Sequence, residues 1–557
     1  MDAPPQTPQH LRWKRSQTVS RVNALPTELL ITIFLLCTSS QELKLNVLDR
    51  AQAPASLTQV CNRCNRWRTI ALGQGELWNW INISLVAGGH FIPNSRDADV
   101  MCRRSLERVG STPINLRLDG GIRDHTYYDH EMGEALAREI SLIGSATYPR
   151  IKTLYLQNIP PSTIALVPAG LFPDIETLGW MQCPWIHERL QRLGESQTPV
   201  IAFRDCAALR RVVTWGGSGD DGISFPEPFQ AILPWSQITS VVETLPTLIS
   251  RNLSSLKALC SADINLEAPI STWDALAIAA QREQGAANQS ERVTLSAVRS
   301  LAVKTTFLSS GYQNLTVGGT ATISAVIGVR RLRFRAEFLA IDVPSLKSFW
   351  LEHYGEEHSI HVLDPSTHKW MLNNLKGVKV LGLHLCRISR SALSDLFAAA
   401  PETTTLVLYV DSVRAKNEAP ITFGPSERIP LAFQCRSILS GLASPGSRPL
   451  PLLQVLVVDF RGMINSSIKE RTRSVSELAK VLDHRTWRTD IYPARLRKLV
   501  LLAGSQRDVN DVLSIIQEFV DAHGLVFESY VDAWNGDNRT SKDVWRSYDP
   551  EREAQKA

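Results

Sequence analysis

The stretch Pro344-Ser-Leu346-Lys-Ser-Phe349-Trp-Leu351 decides the fold. Three others resemble it: Pro149-Arg-Ile151-Lys-Thr-Leu154-Tyr-Leu156, Pro173-Asp-Ile175-Glu-Thr-Leu178-Gly-Trp180 and Pro493-Ala-Arg-Leu496-Arg-Lys-Leu499-Val-Leu501. The copies at Pro149, Pro173 and Pro344 share identical spacing. Large apolar residues alternate with other residues at the end of each, which is the period of a short strand with one face in a core. The proline stands just before the strand, where no ladder N–H is needed. The same pattern without proline recurs at Val298 to Val303, Val378 to Leu383 and Leu453 to Val458, and more weakly at Leu209 to Thr214 and Leu256 to Ser261.

Two segments, Ile175 to Cys183 and Val378 to Cys386, extend to an L-x-x-L-x-L-x-x-C form. This resembles the leucine-rich-repeat signature, in which Asn or Cys closes the turn after the strand. Stretches of helical character lie between strands, at Ser391 to Ala400 and Ser474 to Leu482. The strands are about 24 to nearly 50 residues apart, against ~20–29 in regular arrays, so the repeats are degenerate and carry insertions. Polar stretches such as Gln281 to Ser290 and Gly216 to Gly222 read as loops. Val509 to His523 reads as an amphipathic helix stopped by Gly524, which would cap the array. The expected fold class is α/β, with an irregular solenoid over residues 110–505, a capping helix region over 506–536 and a disordered polar tail over 537–557. Stacked strand–helix units would give a strand-lined face suited to binding protein. Trp180, Trp185, Trp215, Trp235 and Trp350 are candidates for core positions or for anchors on that face.

Composition narrows the function. The chain has 557 residues, 44% hydrophobic and 21% charged, with a formal net charge of +5. So small an excess gives no concentrated basic stripe, and no nucleic-acid partner is expected. Arg330-Arg-Leu-Arg-Phe-Arg335 reads as a solvated strand face. The nine cysteines are scattered and odd in number, which fits reduced thiols in the cytoplasm or nucleus. The first residues lack the apolar core of a signal peptide, and no stretch approaches the ~18 apolar residues of a membrane span.

The N-terminus departs from the repeat pattern. Residues 1–20 read as a disordered arm. Order begins at Arg21-Val-Asn-Ala-Leu25-Pro26-Thr-Glu28-Leu29-Leu30-Ile-Thr-Ile33-Phe34. Pro26 suits the start of a helix, and Glu28 complements the helix dipole in the first turn. From Leu29 to Cys37 only Thr32 is polar, so the helix is apolar nearly all round and must be covered on more than one side. A second helix places Val60, Cys64, Trp67 and Ala71 on one stripe, and Leu77-Trp78 follows.

These two strings resemble the opening and the close of an F-box, over residues 21–84. The resemblance implies a small all-helical module that binds a Skp-type adaptor and, through it, cullin and RING subunits. Leu25, Pro26, Glu28, Leu29, Ile33, Phe34, Val60, Cys64, Trp67 and Trp78 would form or support the adaptor-binding surface. The loop between the halves is longer than in compact F-boxes, and either Cys61 or Cys64 could take the family's cysteine position. The degenerate repeats, with Leu233-Pro-Trp-Ser236 opening one strand, are similar in style to F-box proteins of mushroom-forming fungi.

No enzyme signature is expected to act. Cys61-Asn-Arg-Cys64 is a lone C-x-x-C without a second pair. Asp124-His-Thr-Tyr-Tyr-Asp129-His130 has ligand-type residues at loose spacing. Gly216 to Gly222 lacks the lysine of a phosphate loop and the G-x-S-x-G frame of a hydrolase. The resulting expectation is a non-catalytic, cofactor-free substrate receptor of a cullin-RING ubiquitin ligase, holding an unknown protein target on its repeat face. A scaffold acting outside a ligase is the alternative. An enzyme hidden in the α/β region would need clustered titratable groups, Asp124, His125 and Asp129 among them.

Overall fold

The structure, a computed structural model, describes residues 25–39, 64–84, 86–87, 90–91, 109–120, part of 134–141, 151–182 except 158 and 160, 200–216, 233–244, 255–265, 293–306, 331–332, 341–354, 362–363, 365–385, 388–408, 438–443, 449–460, 468–487, 493–503 and 506–531. The chain divides into two compact units, Met1–Leu209 with Gln230–Leu233, and Arg210–Phe229 with Pro234–Ala557. The division falls inside the stretch expected to be one repeat array.

The first unit opens with helices α1 (Thr27–Ser39) and α2 (Asn65–Gly73), then a 3-10 turn, Gly75–Trp78. Strands β1 (Trp80–Ser84), β2 (Ile114–Asp119), β3 (Ile151–Gln157) and β4 (Thr177–Gln182) follow, with a short helix α3 (Pro161–Ala165) between the last two. The strands pair in chain order and in parallel. Their register aligns Ile81, Leu116, Leu154 and Leu178 in one row, and all four are buried. Residues 80–84, expected within the helical module, thus form the first rung of the sheet. Trp80 and Ile81 explain this: a residue that alternates and carries a large apolar surface fits a pleat better than a helix end.

The second unit carries β5 (Arg211–Gly216), β6 (Ser240–Thr244), β7 (Ser261–Asn265), β8 (Ser300–Thr306), β9 (Ser348–Tyr354), β10 (Val380–Leu385), β11 (Thr405–Leu408), β12 (Val455–Asp459), β13 (Lys498–Ala503) and β14 (Val526–Val531). These too pair in chain order, all in parallel. One continuous row runs Val212, Val241, Ala262, Leu301, Phe349, Leu381, Leu406, Leu456, Leu499, Phe527. This is a long parallel sheet of leucine-rich-repeat type, built one strand per repeat.

Each rung from β5 to β12 begins with the same device. Leu346 N–H donates to the Val343 carbonyl at 3.2 Å, closing a four-residue turn with Pro344 second. Pro is favoured there because its fixed φ matches the turn. The turn recurs ahead of other rungs, ending on Leu209, Ile238, Leu259, Val298, Val378, Thr403 and Leu453. Pro401 and Pro451 hold the same second position as Pro344. The residue after the turn then donates to the preceding rung, as Lys347 N–H does to Arg299 O at 2.8 Å.

Helices α4 (Pro365–Asn374), α5 (Arg390–Ala399), α6 (Ile468–Trp487) and α7 (Gln506–His523) connect the later strands. Ser389 caps α5, its hydroxyl accepting from Ala392 N–H at 3.2 Å. Trp370 on α4 meets Phe349 at 6.1 Å between ring centres, and its indole N–H donates to Ile341 O at 2.7 Å. Asn374 Oδ1 accepts from Val343 N–H at 2.6 Å, so one helix pins the turn that opens β9. α6 is longer than the expected Ser474 to Leu482. Its Arg485 is buried and donates to the carbonyls of Leu450, at 2.9 Å, and Pro449. α7 matches the expected helix and ends at Gly524, whose φ of +63° suits glycine after a helix. It is not the last element, because β14 follows within the expected cap region.

Candidate functional site

The residues singled out at the N-terminus converge on α1, α2 and the 3-10 turn. Leu30, Phe34, Ala71 and Leu77 form one buried cluster, with Leu25, Leu35, Trp67, Ile70 and Trp78 packed against it. Local geometry explains how the pieces are held. Pro26 O accepts the first helical bond from Leu30 N–H at 3.1 Å. Cys64 is the N-cap of α2, its Sγ accepting from Trp67 N–H at 3.4 Å. Arg66 donates to Leu25 O at 2.8 Å and ties the entry of one helix to the other. Trp78 Nε1 donates to Ala71 O at 2.6 Å, closing the end of α2.

The cluster sorts the candidates into two groups. Phe34 faces inward, its ring 5.4 Å from that of Trp67 and tilted by 59°. It belongs to the module's own core, whereas the sequence suggested a place on the adaptor-facing surface. An aromatic at that position offers the largest apolar area, which the packing of two short helices takes first. Leu29 and Ile33, one turn apart on α1, stay 51% and 41% exposed. Pro26 and Glu28 beside them are exposed as well, and Leu25, Cys64, Trp67 and Trp78 are half-buried. Leu72 on α2, 42% exposed, carries the signal that the sequence reading missed. Val60 lies outside the described residues, as does Cys61 of the C-x-x-C pair.

The face of the repeat sheet opposite the helices differs from a free binding surface. Ala302, Trp350, Val407, Val457 and Val500 lie in one register row across β8 to β13 and form a buried apolar cluster with Val380 and Leu502. Trp350 drapes over Gly382 on the next strand, where a Cβ would fall inside the indole. Tyr155 does the same over Gly179 in the first unit, with Trp80 stacked on it at 5.9 Å. Trp180, Trp235 and Trp350 are all buried, so these three are packing residues rather than surface anchors. The side chain of Trp215 and the whole of Trp185 lie outside what is described.

Chemistry is sparse. Among the described residues no group of His, Cys, Asp and Glu could hold a metal ion, and no helix is long and apolar enough to cross a membrane. Asp124, His125 and Asp129 fall outside the described residues. Burial pushes the Cys206 thiol up to about 12, with Asp205 adding to the effect, and Cys206 Sγ–H donates to Phe172 O at 2.9 Å. That thiol is inert packing.

No family model and no curated protein matches the chain. Among solved structures it is similar to the leucine-rich repeat-containing protein LegL7 of Legionella pneumophila, at 13% identity and a TM-score of 0.31, over 78% of this chain and 98% of that one. At that score the two backbones differ too much for the likeness to position any residue here.

Proposed function

We propose that the chain is the substrate receptor of a cullin-RING ubiquitin ligase, acting in the cytoplasm or nucleus. α1 and α2 dock a Skp-type adaptor, and the repeat units hold a protein target. The observation that carries the first half is the pair Leu29 and Ile33. A helix pair whose core is already filled by Leu30, Phe34 and Ala71 still holds two large apolar residues, one turn apart, in water. Half of each side chain is still in water, which forgoes roughly 1 kcal/mol each of burial free energy that a partner's groove would recover. The pattern Leu25-Pro26-x-Glu28-Leu29-Leu30 supports the Skp-type class of partner.

Under this reading the chain performs no chemistry. It raises the effective concentration of a target's lysine near the charged conjugating enzyme. A scaffold that uses the adaptor only for stability is the second reading, and it shares the same docking surface. Reconstituted ubiquitin transfer separates them: the chain is mixed with adaptor, cullin, RING subunit, ubiquitin and the activating and conjugating enzymes. Ubiquitin chains on the receptor itself support the ligase. An intact complex that transfers nothing assigns the chain to the scaffold.

A further inference from the structure

β14 is the last strand of the second unit's sheet, and its outer edge has no strand beside it among the described residues. Val526 N–H donates to Arg497 O at 2.9 Å. In a parallel ladder the N–H and C=O of one residue point to the same side and alternate along the strand. Val526, Glu528 and Tyr530 therefore bond to β13, while Phe527, Ser529 and Val531 offer their backbone groups to the open edge. The side chains are open too: Val526 is 52% exposed, Tyr530 51% and Val531 40%.

Natural sheets blunt such an edge with lysine, proline, a bulge or an inward-pointing charge. β14, with the sequence Val526-Phe-Glu-Ser-Tyr-Val531, has none of these. Its single charge, Glu528, is neutralised within the chain by Lys498 at 2.9 Å and accepts from Tyr530 O–H at 3.3 Å. Repeat arrays are soluble when their terminal unit presents a polar outer face, and among the described residues β14 leaves Val526, Tyr530 and Val531 exposed instead.

We propose that β14 pairs antiparallel with β14 of a second copy, about a two-fold axis through Ser529. Every axis through a residue of β14 keeps the open backbone groups in hydrogen-bonded positions, but only those through Glu528 and Ser529 pair as many as five residues of the strand. An axis through Glu528 sets two carboxylates opposite each other, which is destabilising. An axis through Ser529 sets Phe527 opposite the partner's Val531 and Glu528 opposite the partner's Tyr530. It also makes Phe527, Ser529 and Val531 the hydrogen-bonded pairs, and these are the residues whose N–H and C=O are free. The contact is isologous and closes on itself. Five paired residues a side bury well under the ~1,200 Å² of a stable interface, so the dimer dissociates on dilution. The inference is independent of the adaptor reading.

Sedimentation velocity on the full chain from about 1 to about 100 μM tests it. The expected result is a monomer–dimer equilibrium, shifted to monomer by Ser529→Pro and by Val531→Lys, each with the melting temperature of the wild type. Ser529→Cys, on the axis, cross-links to a dimer under mild oxidation faster than the wild type does. A wild type that stays monomeric over that range overturns the proposal. So does an association that both variants leave intact, an open-ended polymer, or a Ser529→Cys chain that cross-links no faster than wild type.

Discussion

Two glycines show why single residues are constrained in this sheet. Gly382 and Gly179 each lie beneath an aromatic ring from the preceding strand, in register with Trp350 and Tyr155. Glycine weakens a strand, and a cross-strand aromatic restores the lost packing. A methyl group at Gly382 has to displace a buried indole, so Gly382→Ala is expected to destabilise by about 1–3 kcal/mol. Gly377 is the control: a Cβ there meets only Leu346 O at 3.9 Å, and Gly377→Ala is expected to be near neutral. Urea unfolding of the two variants side by side makes the comparison. Cys206 yields a pH prediction. Its folded thiol titrates at about 12 against an ordinary 9.0. The unfolded thiol ionises first, so this contribution is full below pH 9.0 and is lost as pH rises toward about 12. Denaturation midpoints of wild type and Cys206→Ala measured across that range should converge as pH climbs; parallel curves would contradict it.

At the scale of elements, each rung is a turn, a strand and a connection back, and the turn is the part most dependent on neighbours. Leu450 opens one of them at a φ of +47°, a left-handed conformation that leucine seldom adopts. Arg485 on α6 holds it there by donating to the Leu450 and Pro449 carbonyls. Arg485→Met leaves the buried Pro449 carbonyl unmatched and Leu450 O with only the Leu453 N–H, and is expected to cost about 1–3 kcal/mol, read as a loss of hydrogen-exchange protection at residues 449–460. Unchanged protection there would remove Arg485 from the turn's support. The same elements show what the sequence disclosed. The segments led by Pro149, Pro173 and Pro344 were legible because proline, spacing and alternation agree. β11 escaped notice because Thr403 replaces the first leucine of its pattern, although Pro401 was there to be read. β14 escaped because it is an edge strand, where one side chain in two need not be apolar. In the helix pair, the periodicity identified an apolar helix, but it could not divide the residues. Phe34 and Leu29 look equally apolar in the chain, and only the position of α2 turns one inward and leaves the other in water.

For the whole molecule, two compact units share one construction, and the N-terminal helix pair is added to the first of them. The repeat sheet supplies surface, and no group of residues that could hold a metal ion is found among the described residues. α1 leaves two large apolar residues one turn apart exposed, Leu29 and Ile33, and the account rests on their having a partner. The direct test is calorimetric titration of a purified Skp-type adaptor into the full chain and into a Leu29→Glu, Ile33→Glu double variant. Both substituted residues are exposed, so the variant is expected to melt at the wild-type temperature. The account predicts binding by the wild type and at least a hundredfold weaker binding by the variant, because roughly 2 kcal/mol of apolar burial is lost and two carboxylates must enter an apolar groove. No heat of binding with the wild type, or equal affinity for the variant, would contradict it.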